Sequence, residues 1–397
     1  MINRIKDYAE KLESDIINWR RELHKIPEVA HDVPLTAGFI TNQLDSMGIE
    51  YRKGVGGYGI VAVIKGGKEG KTFGIRADID GLAVEEETGL PFASIHKGRM
   101  HACGHDAHTA MVLGTAKILQ EIKDELHGRV KIIFQPAEEG PGGAKPMIED
   151  GALKAPDVDV IIGQHIGNIF REVGSGQVGV GRGTIMACLD SFKLNIKGKG
   201  GHGAMPDVTV DPIAISVQVV SALQTLISRE LKPTHPAVIT VGKLHGGTGY
   251  NIIPEKVEIE GTARFIHEED RQRTSKRIGE LAAKIAEGMR GSSTFEYVRG
   301  YPPLVCNDQF TDYFKGVATE VIGQQNIIEL DDPTMGGEDM AYFLQEVPGT
   351  FFMLGSAKEA DKTYPHHHPK FDIDEGVLHL GASLFAATAY SWLKDNQ

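Results

Sequence analysis

Short runs rich in β-branched residues punctuate the first half of the chain. IVAVIKG (60–66), TFGIRADI (72–79), VKIIFQPA (130–137) and DVIIGQHI (159–166) are each one strand long and nearly continuous in apolar character. Runs of that kind suit strands buried on both faces. Between them, TAMVLGTAKILQEIKDEL (109–126) repeats its apolar residues at helical spacing. Strand–helix–strand alternation predicts an α/β fold, with a mixed, mostly parallel sheet sandwiched by helices. The first 25 residues, MINRIKDYAEKLESDIINWRRELHK, read as one amphipathic helix without the apolar centre of a signal peptide.

The pattern changes near Met186. SFKLNIKGKG (191–200), AVITVGKLHG (237–246), KVEIEGTARFI (256–266) and STFEYVRGY (293–301) alternate like half-exposed strands. Two helical runs accompany them, IAISVQVVSALQTLISRE (213–230) and QRTSKRIGELAAKIAEG (272–288). The order strand, helix, two strands, helix, strand predicts an inserted ferredoxin-like α+β domain. The expected division is 1–187 and 299–397 for a catalytic domain, with the insertion at 188–298. After Pro302, helical runs and one apolar strand, TFFMLGS (350–356), complete the first domain.

Composition narrows the function. A net charge of −12 over 397 residues disfavours nucleic acid and anionic membranes as partners. No run of some 18 apolar residues suggests a membrane span. The three cysteines, Cys103, Cys188 and Cys306, are scattered and odd in number, which fits a reducing cytoplasm rather than a disulfide framework. Two nucleotide-binding patterns fail. GVGGYG (54–59) leads into a strand instead of a helix, so it reads as a glycine-rich turn. GGKEGKT (66–72) is one residue short of a P-loop and reads as a charged hairpin turn.

Four segments carry candidate chemistry. HACGHDAH (101–108) sets Cys103 two residues from His105. They cannot share a helix face, but both can converge from a loop at a helix start, whose positive end favours a thiolate. Metal ligation and a structural loop histidine both remain open there, while His101 and His108 read as structural or supporting groups. FQPAEEG (134–140) places Glu138 and Glu139 at the end of an apolar strand, where open α/β sheets bind their ligands. One carboxylate can bind metal while the other acts as base; a solvated loop pair is the bland alternative. His165 ends another apolar strand, and TYPHHHPKF (363–371) packs three histidines between prolines. Together the segments supply one thiolate, several imidazoles and two carboxylates, enough for two metals and a spare carboxylate.

HACGHD, FQPAEEG, GxHxGN, GKGGHGAMPD, NIIP and HHPKFDIDE resemble the amidohydrolase and aminoacylase branch of the dinuclear zinc-exopeptidase superfamily. The resemblance runs from WRRELHKIPE to the C-terminal helix. It implies two divalent ions, zinc by default with manganese, cobalt or nickel as substitutes. It further implies that Cys103 bridges them, that His105 and His165 complete one site, and that Glu139 and His367 complete the other. His367 is chosen over His366 and His368 because the family's ligand stands two residues before the proline. Glu138 is then the general base. His202 in GKGGHGAMPD stabilises the oxyanion, often from the partner subunit, and Asn251 and Arg264 hold the substrate carboxylate. Asp78 and Asp80 in RADIDGL either orient a ligand histidine or form a structural turn. The implied activity is hydrolysis of N-acyl-L-amino acids by a cytoplasmic homodimer joined through the inserted lid. A carboxypeptidase or dipeptidase is the alternative within the class, and a non-catalytic metal- or peptide-binding protein the alternative outside it.

Overall fold

A computed structural model describes residues 1–358 and 363–397. The chain forms two compact units. One comprises Met1–Gly183, Val305–Asp332 and Asp339–Gln397; the other comprises Thr184–Leu304 and Pro333–Glu338. The second unit therefore begins and ends a few residues outside the 188–298 span and recruits a short later segment.

Strands β1 (Glu50–Val55), β2 (Gly59–Lys65), β3 (Lys68–Asp78), β4 (His127–Gln135), β5 (Val160–Gly167) and β6 (Val178–Val180) precede the insertion. The insertion holds β7 (Asp190–Lys197), β8 (Ala237–Gly246), β9 (Lys256–Phe265) and β10 (Ser292–Arg299), and β11 (Ile327–Glu329) and β12 (Gly349–Gly355) follow it. The main helices are α1 (Ile2–Lys11), α2 (Glu13–His24) and α3 (His105–Glu121), then α4 (Pro212–Thr225) and α5 (Glu268–Gly288) in the insertion, and last α6 (Leu378–Asp395).

The first unit is built on one eight-stranded sheet in the order β1-β2-β4-β3-β5-β12-β6-β11. Its four central strands, β4, β3, β5 and β12, are mutually parallel. The flanking pairs β1/β2, β2/β4 and β12/β6 are antiparallel. Central strands bury both faces, which is why they read as unbroken apolar runs. Helix α3 is buried along nearly its whole length, and α6 packs beside it with Ala386, Ala387 and Ala389 fully buried. A helix apolar all round belongs in a core. The parallel strands bring their carboxyl ends, Asp78, Gln135, Gly167 and Gly355, to one edge.

Two local expectations are corrected. The N-terminal helix is two helices, α1 and α2, because the Leu12 amide splits its bond between Tyr8 and Ala9 carbonyls, 3.1 Å each, and the turn tightens there. The GGKEGKT segment is no hairpin, since β4 lies between β2 and β3. Its Gly66 amide donates to the Gly128 carbonyl (2.9 Å) at the start of β4, carrying the chain across that strand.

The second unit has a four-stranded antiparallel sheet in the order β8-β9-β7-β10, with α4 and α5 packed on it. That is the ferredoxin-like order. Its core joins Phe192, Leu194, Ile196, Val257, Ile259 and Ile278.

One charge inside the first unit has a measurable consequence. The Lys131 ammonium, on β4, donates to the Lys154 and Pro156 carbonyls at 2.8 and 2.6 Å. Burial, and then the neighbouring Arg52, lower its pKa from 10.5 to about 8. Folding is penalised while the group is charged, below pH 8, and the penalty fades as pH rises toward 10.5. Wild type should gain on the order of 1–3 kcal/mol relative to Lys131→Met across that interval. Urea unfolding of both proteins from pH 7.5 to about 10.5 checks this, and parallel stability curves would contradict it.

Candidate metal centre

The candidate ligands gather at the carboxyl edge of the central strands. Gly104 lies between Cys103 and His105, at φ 93°, and a Cβ on it would come 2.7 Å from Ile166 Cγ2. Only glycine turns the chain there so that Cys103 ends the loop and His105 opens α3. Two non-glycine residues beside the centre, Ala137 (φ 60°) and His367 (φ 66°), adopt the left-handed conformation. Such residues cost about 1–3 kcal/mol each and persist only where their surroundings hold them.

The structure brings the sequence-derived candidates together in overlapping groups. Donor atoms of Cys103, His105 and His165 lie within 4.8 Å of one another, and so do those of Cys103, Glu139 and His367. Cys103 is common to both groups. Glu138 joins His105 and Glu139 in a third. His367 Nε2 stands 3.1 Å from Glu139 Oε1.

Hydrogen bonds assign the tautomers. His105 Nδ1 donates to the Asp80 carbonyl (2.9 Å) and His165 Nδ1 donates to the Ile166 carbonyl (2.7 Å). Each ring therefore turns its Nε2, and not its Nδ1, toward the centre. The His165 Nε2 is 3.4 Å from Cys103 Sγ, while His105 Nε2 is buried with no hydrogen bond. His108 differs. Its Nδ1 donates to Asp78 Oδ1 (2.5 Å) and its Nε2 accepts the Ile166 amide (2.9 Å), so neither nitrogen is left for an ion. His101 is fully enclosed, and burial pushes it down to about 3.

Electrostatics favour cations here. Burial, then Glu139 and Glu138, push the Cys103 thiol well above its ordinary value. Burial alone would raise Glu139, but His367 and His105 hold it below the usual carboxylate range. Burial lowers His105, yet Asp78 and Asp80 overcome this and raise it to about 10. A thiolate among carboxylates is stable beside dications, which would also displace the His105 proton. A buried ring nitrogen without a hydrogen bond, a sulfur common to both donor groups and a surplus of negative charge fit two divalent ions.

Three buried carboxylates hold the loops. Asp80 accepts the amides of Glu138 (2.9 Å) and Glu139 (3.2 Å). Asp339 accepts from Arg76, Gln135, Gly143 and Ala144, which fixes the far side of the same loop. Asp106 meets Arg20 Nε at 2.8 Å and His24 Nδ1 at 2.7 Å, tying α3 to α2. Arg20 also reaches Glu375 (3.2 Å), beyond the triple histidine.

Comparison with known proteins decides the family. The model of Peptidase family M20/M25/M40 matches residues 74–391. The chain is 40% identical over 386 residues to N-acetyl-L-cysteine deacetylase of Bacillus subtilis, covering 97% of this chain and 89% of that protein. It is 39% identical over 394 residues to thermostable carboxypeptidase 1 of Saccharolobus solfataricus, covering 98% of each. The crystal structure of the YXEP protein of Bacillus subtilis, a dinuclear metal-binding peptidase of the M20 family, superposes with a TM-score of 0.82. The two are 34% identical, with 97% of this chain and 99% of that one covered. The chain belongs to the M20/M25/M40 peptidase family. It is a metal-dependent hydrolase of amide bonds.

The remaining M20 candidates lie in the second unit. His202 is exposed on a two-stranded ribbon, opposite Ile252, and the Gly203 amide donates to the Asn251 carbonyl (2.8 Å). His202 and Asn251 are thus neighbours. Arg264 is not with them: it sits at the end of β9, next to the Ala263–Asp190 pair, whereas the ribbon follows the opposite end of β7. Sequence reasoning missed Arg20, His24, Arg76, Gln135, Asp106 and Asp339 as supports. For Asp106, the HACGHD motif itself was the available signal; Asp339 sits in GGEDM, where nothing marks an acid as buried.

His108 gives this support a test. His108→Phe leaves Asp78 Oδ1 and the Ile166 amide without this partner, while Arg76 still meets Asp78 Oδ2 at 2.9 Å, and should cost about 1–3 kcal/mol. Denaturant unfolding of the chelated protein measures it; a cost under about 0.5 kcal/mol, the range of surface substitutions, would contradict the assignment.

Proposed function

We propose that this hydrolase cleaves N-acyl-L-amino acids, with Cys103 bridging two divalent ions, His105 and His165 completing one site and Glu139 and His367 the other. The observation that carries the proposal is the pair of donor groups sharing the Cys103 sulfur. Two ions held there would supply Lewis acidity for the carbonyl and lower the pKa of water. Thiolate and imidazole donors favour zinc, with cobalt, nickel and manganese as substitutes.

Glu138 is the general base in this reading. Its backbone is clamped by Asp80, and its carboxylate Oε2 lies 3.9 Å from His105 Nε2. It takes a proton from the attacking water and returns it to the leaving nitrogen. His202 donates to the oxyanion: its Nδ1 accepts the Ala204 amide (3.1 Å), which leaves the proton on Nε2. Arg264 and Asn251 bind the substrate carboxylate, and the planar guanidinium suits that group.

The separation of Arg264 from the His202 ribbon supports a site completed by a second copy of the chain. Large apolar residues exposed around that ribbon, Met205, Val208, Tyr250 and Ile252, support a homodimer through the inserted unit. Three free, buried cysteines support a cytoplasmic setting. No helix among the described residues is long and apolar enough to cross a membrane. A carboxypeptidase or dipeptidase is the second reading, favoured by the likeness to a carboxypeptidase.

The chelated protein, reloaded with zinc, manganese, cobalt or nickel, is to be assayed on N-acetyl, N-benzoyl and indole-acetyl amino acids beside dipeptides. Metal-restored cleavage of acyl amino acids is expected; cleavage of dipeptides alone would select the second reading. Glu138→Gln should retain both ions while kcat falls by about 10²–10⁴. Unaltered turnover would remove Glu138 from the mechanism.

A further inference from the structure

The triple histidine holds two imidazoles that the two donor groups do not use, and one of them, His366, faces the sulfur. His366 Nδ1 lies 3.7 Å from Cys103 Sγ, and its ring packs at 5.0 Å against His165 and 4.7 Å against Phe371. Its tautomer is opposite to that of His105 and His165. The Asn168 amide donates to His366 Nε2 at 3.3 Å, so that nitrogen carries no proton and the ring proton sits on Nδ1. His366 thus turns an N–H toward the sulfur where His165 turns a lone pair. Room for the ring is built in. Gly167, at φ 119°, faces it without a side chain, and a Cβ there would come 2.2 Å from His366 Nε2. The left-handed turn at His367 lets consecutive histidines reach different partners, the sulfur and Glu139.

We propose that His366 is a positioning residue that donates its Nδ1–H to the Cys103 thiolate and thereby sets how much charge the bridging sulfur gives to the ions. This rests on the two-ion reading of the centre. A hydrogen bond to a ligating thiolate draws electron density from sulfur and weakens its donation, as outer partners do at other metal sites. His366 offers no lone pair to an ion, so it tunes the bridge without adding a ligand.

The test replaces the resident ions with cobalt(II), whose thiolate complexes show a sulfur-to-metal charge-transfer absorption. Wild type, His366→Phe and His366→Asn are each titrated with cobalt. Phe keeps the ring shape without a donor; Asn keeps an N–H near the Nδ1 position. All three should take up two cobalt ions per chain. The charge-transfer band should move to longer wavelength in the Phe variant, because the unbonded sulfur holds its electrons less tightly, and should stay near the wild-type position in the Asn variant. Identical bands in all three, with two ions each, would overturn the proposal. Loss of one ion in both variants would also overturn it, by making His366 a ligand. Wild type taking up fewer than two ions, or showing no sulfur band, would instead overturn the two-ion reading on which it rests.

Discussion

The Cys103 sulfur is buried beside Glu139 and Glu138, and negative charge in that position is stable only with positive charge next to it. The organisation of the first unit's active edge follows from this constraint. Two of the candidate ligand rings have their other nitrogen already bonded. His105 and His165 use their Nδ1 protons on backbone carbonyls, so that Nε2 can face the sulfur's surroundings. Tautomers fixed in this way do not have to be reorganised when an ion arrives, and that is how a protein raises both the affinity and the precision of a metal site.

Support for these side chains comes from buried ion clusters rather than from loop packing alone. Asp80, Asp339 and Asp106 each accept from backbone amides, arginine or histidine and link segments far apart in sequence. Arg20, with no exposed surface, touches both Asp106 and Glu375 and so joins α2, α3 and the segment after the histidine triplet. Removing one partner from such a cluster strands the others, which makes the clusters costly to break. The parallel strands supply the remaining order, because their shared direction delivers four loops to one edge of the sheet.

Much of this was legible in the chain. Buried parallel strands advertise themselves as β-branched runs, and β2 to β5 and β12 appear where those runs occur. The alternating strands of the insertion and its ferredoxin-like order were equally open to reading. Strand β1, EYRKGV, was not, because an exposed edge strand needs no apolar pattern. The hairpin expected at GGKEGKT failed because spacing along a chain says nothing about which strand will slide between two others. At the centre, Cys103 lies in one group with His105 and His165 and in another with Glu139 and His367. What could not be read was the place of His366 beside the sulfur: the left-handed turn at His367 and the empty side of Gly167 are properties of folded backbone. Buried partners such as Asp339 were hidden for a related reason, since an acidic residue in a glycine turn looks solvated until the strands around it are placed.

The central claim is that one sulfur serves two ions. X-ray absorption at the metal edge of the fully loaded protein tests it most directly. The expected result is one sulfur scatterer per zinc at about 2.3 Å, nitrogen and oxygen neighbours otherwise, and a metal–metal vector of about 3.5–4 Å. A first shell of nitrogen and oxygen only, or sulfur without a metal neighbour at that distance, would contradict it.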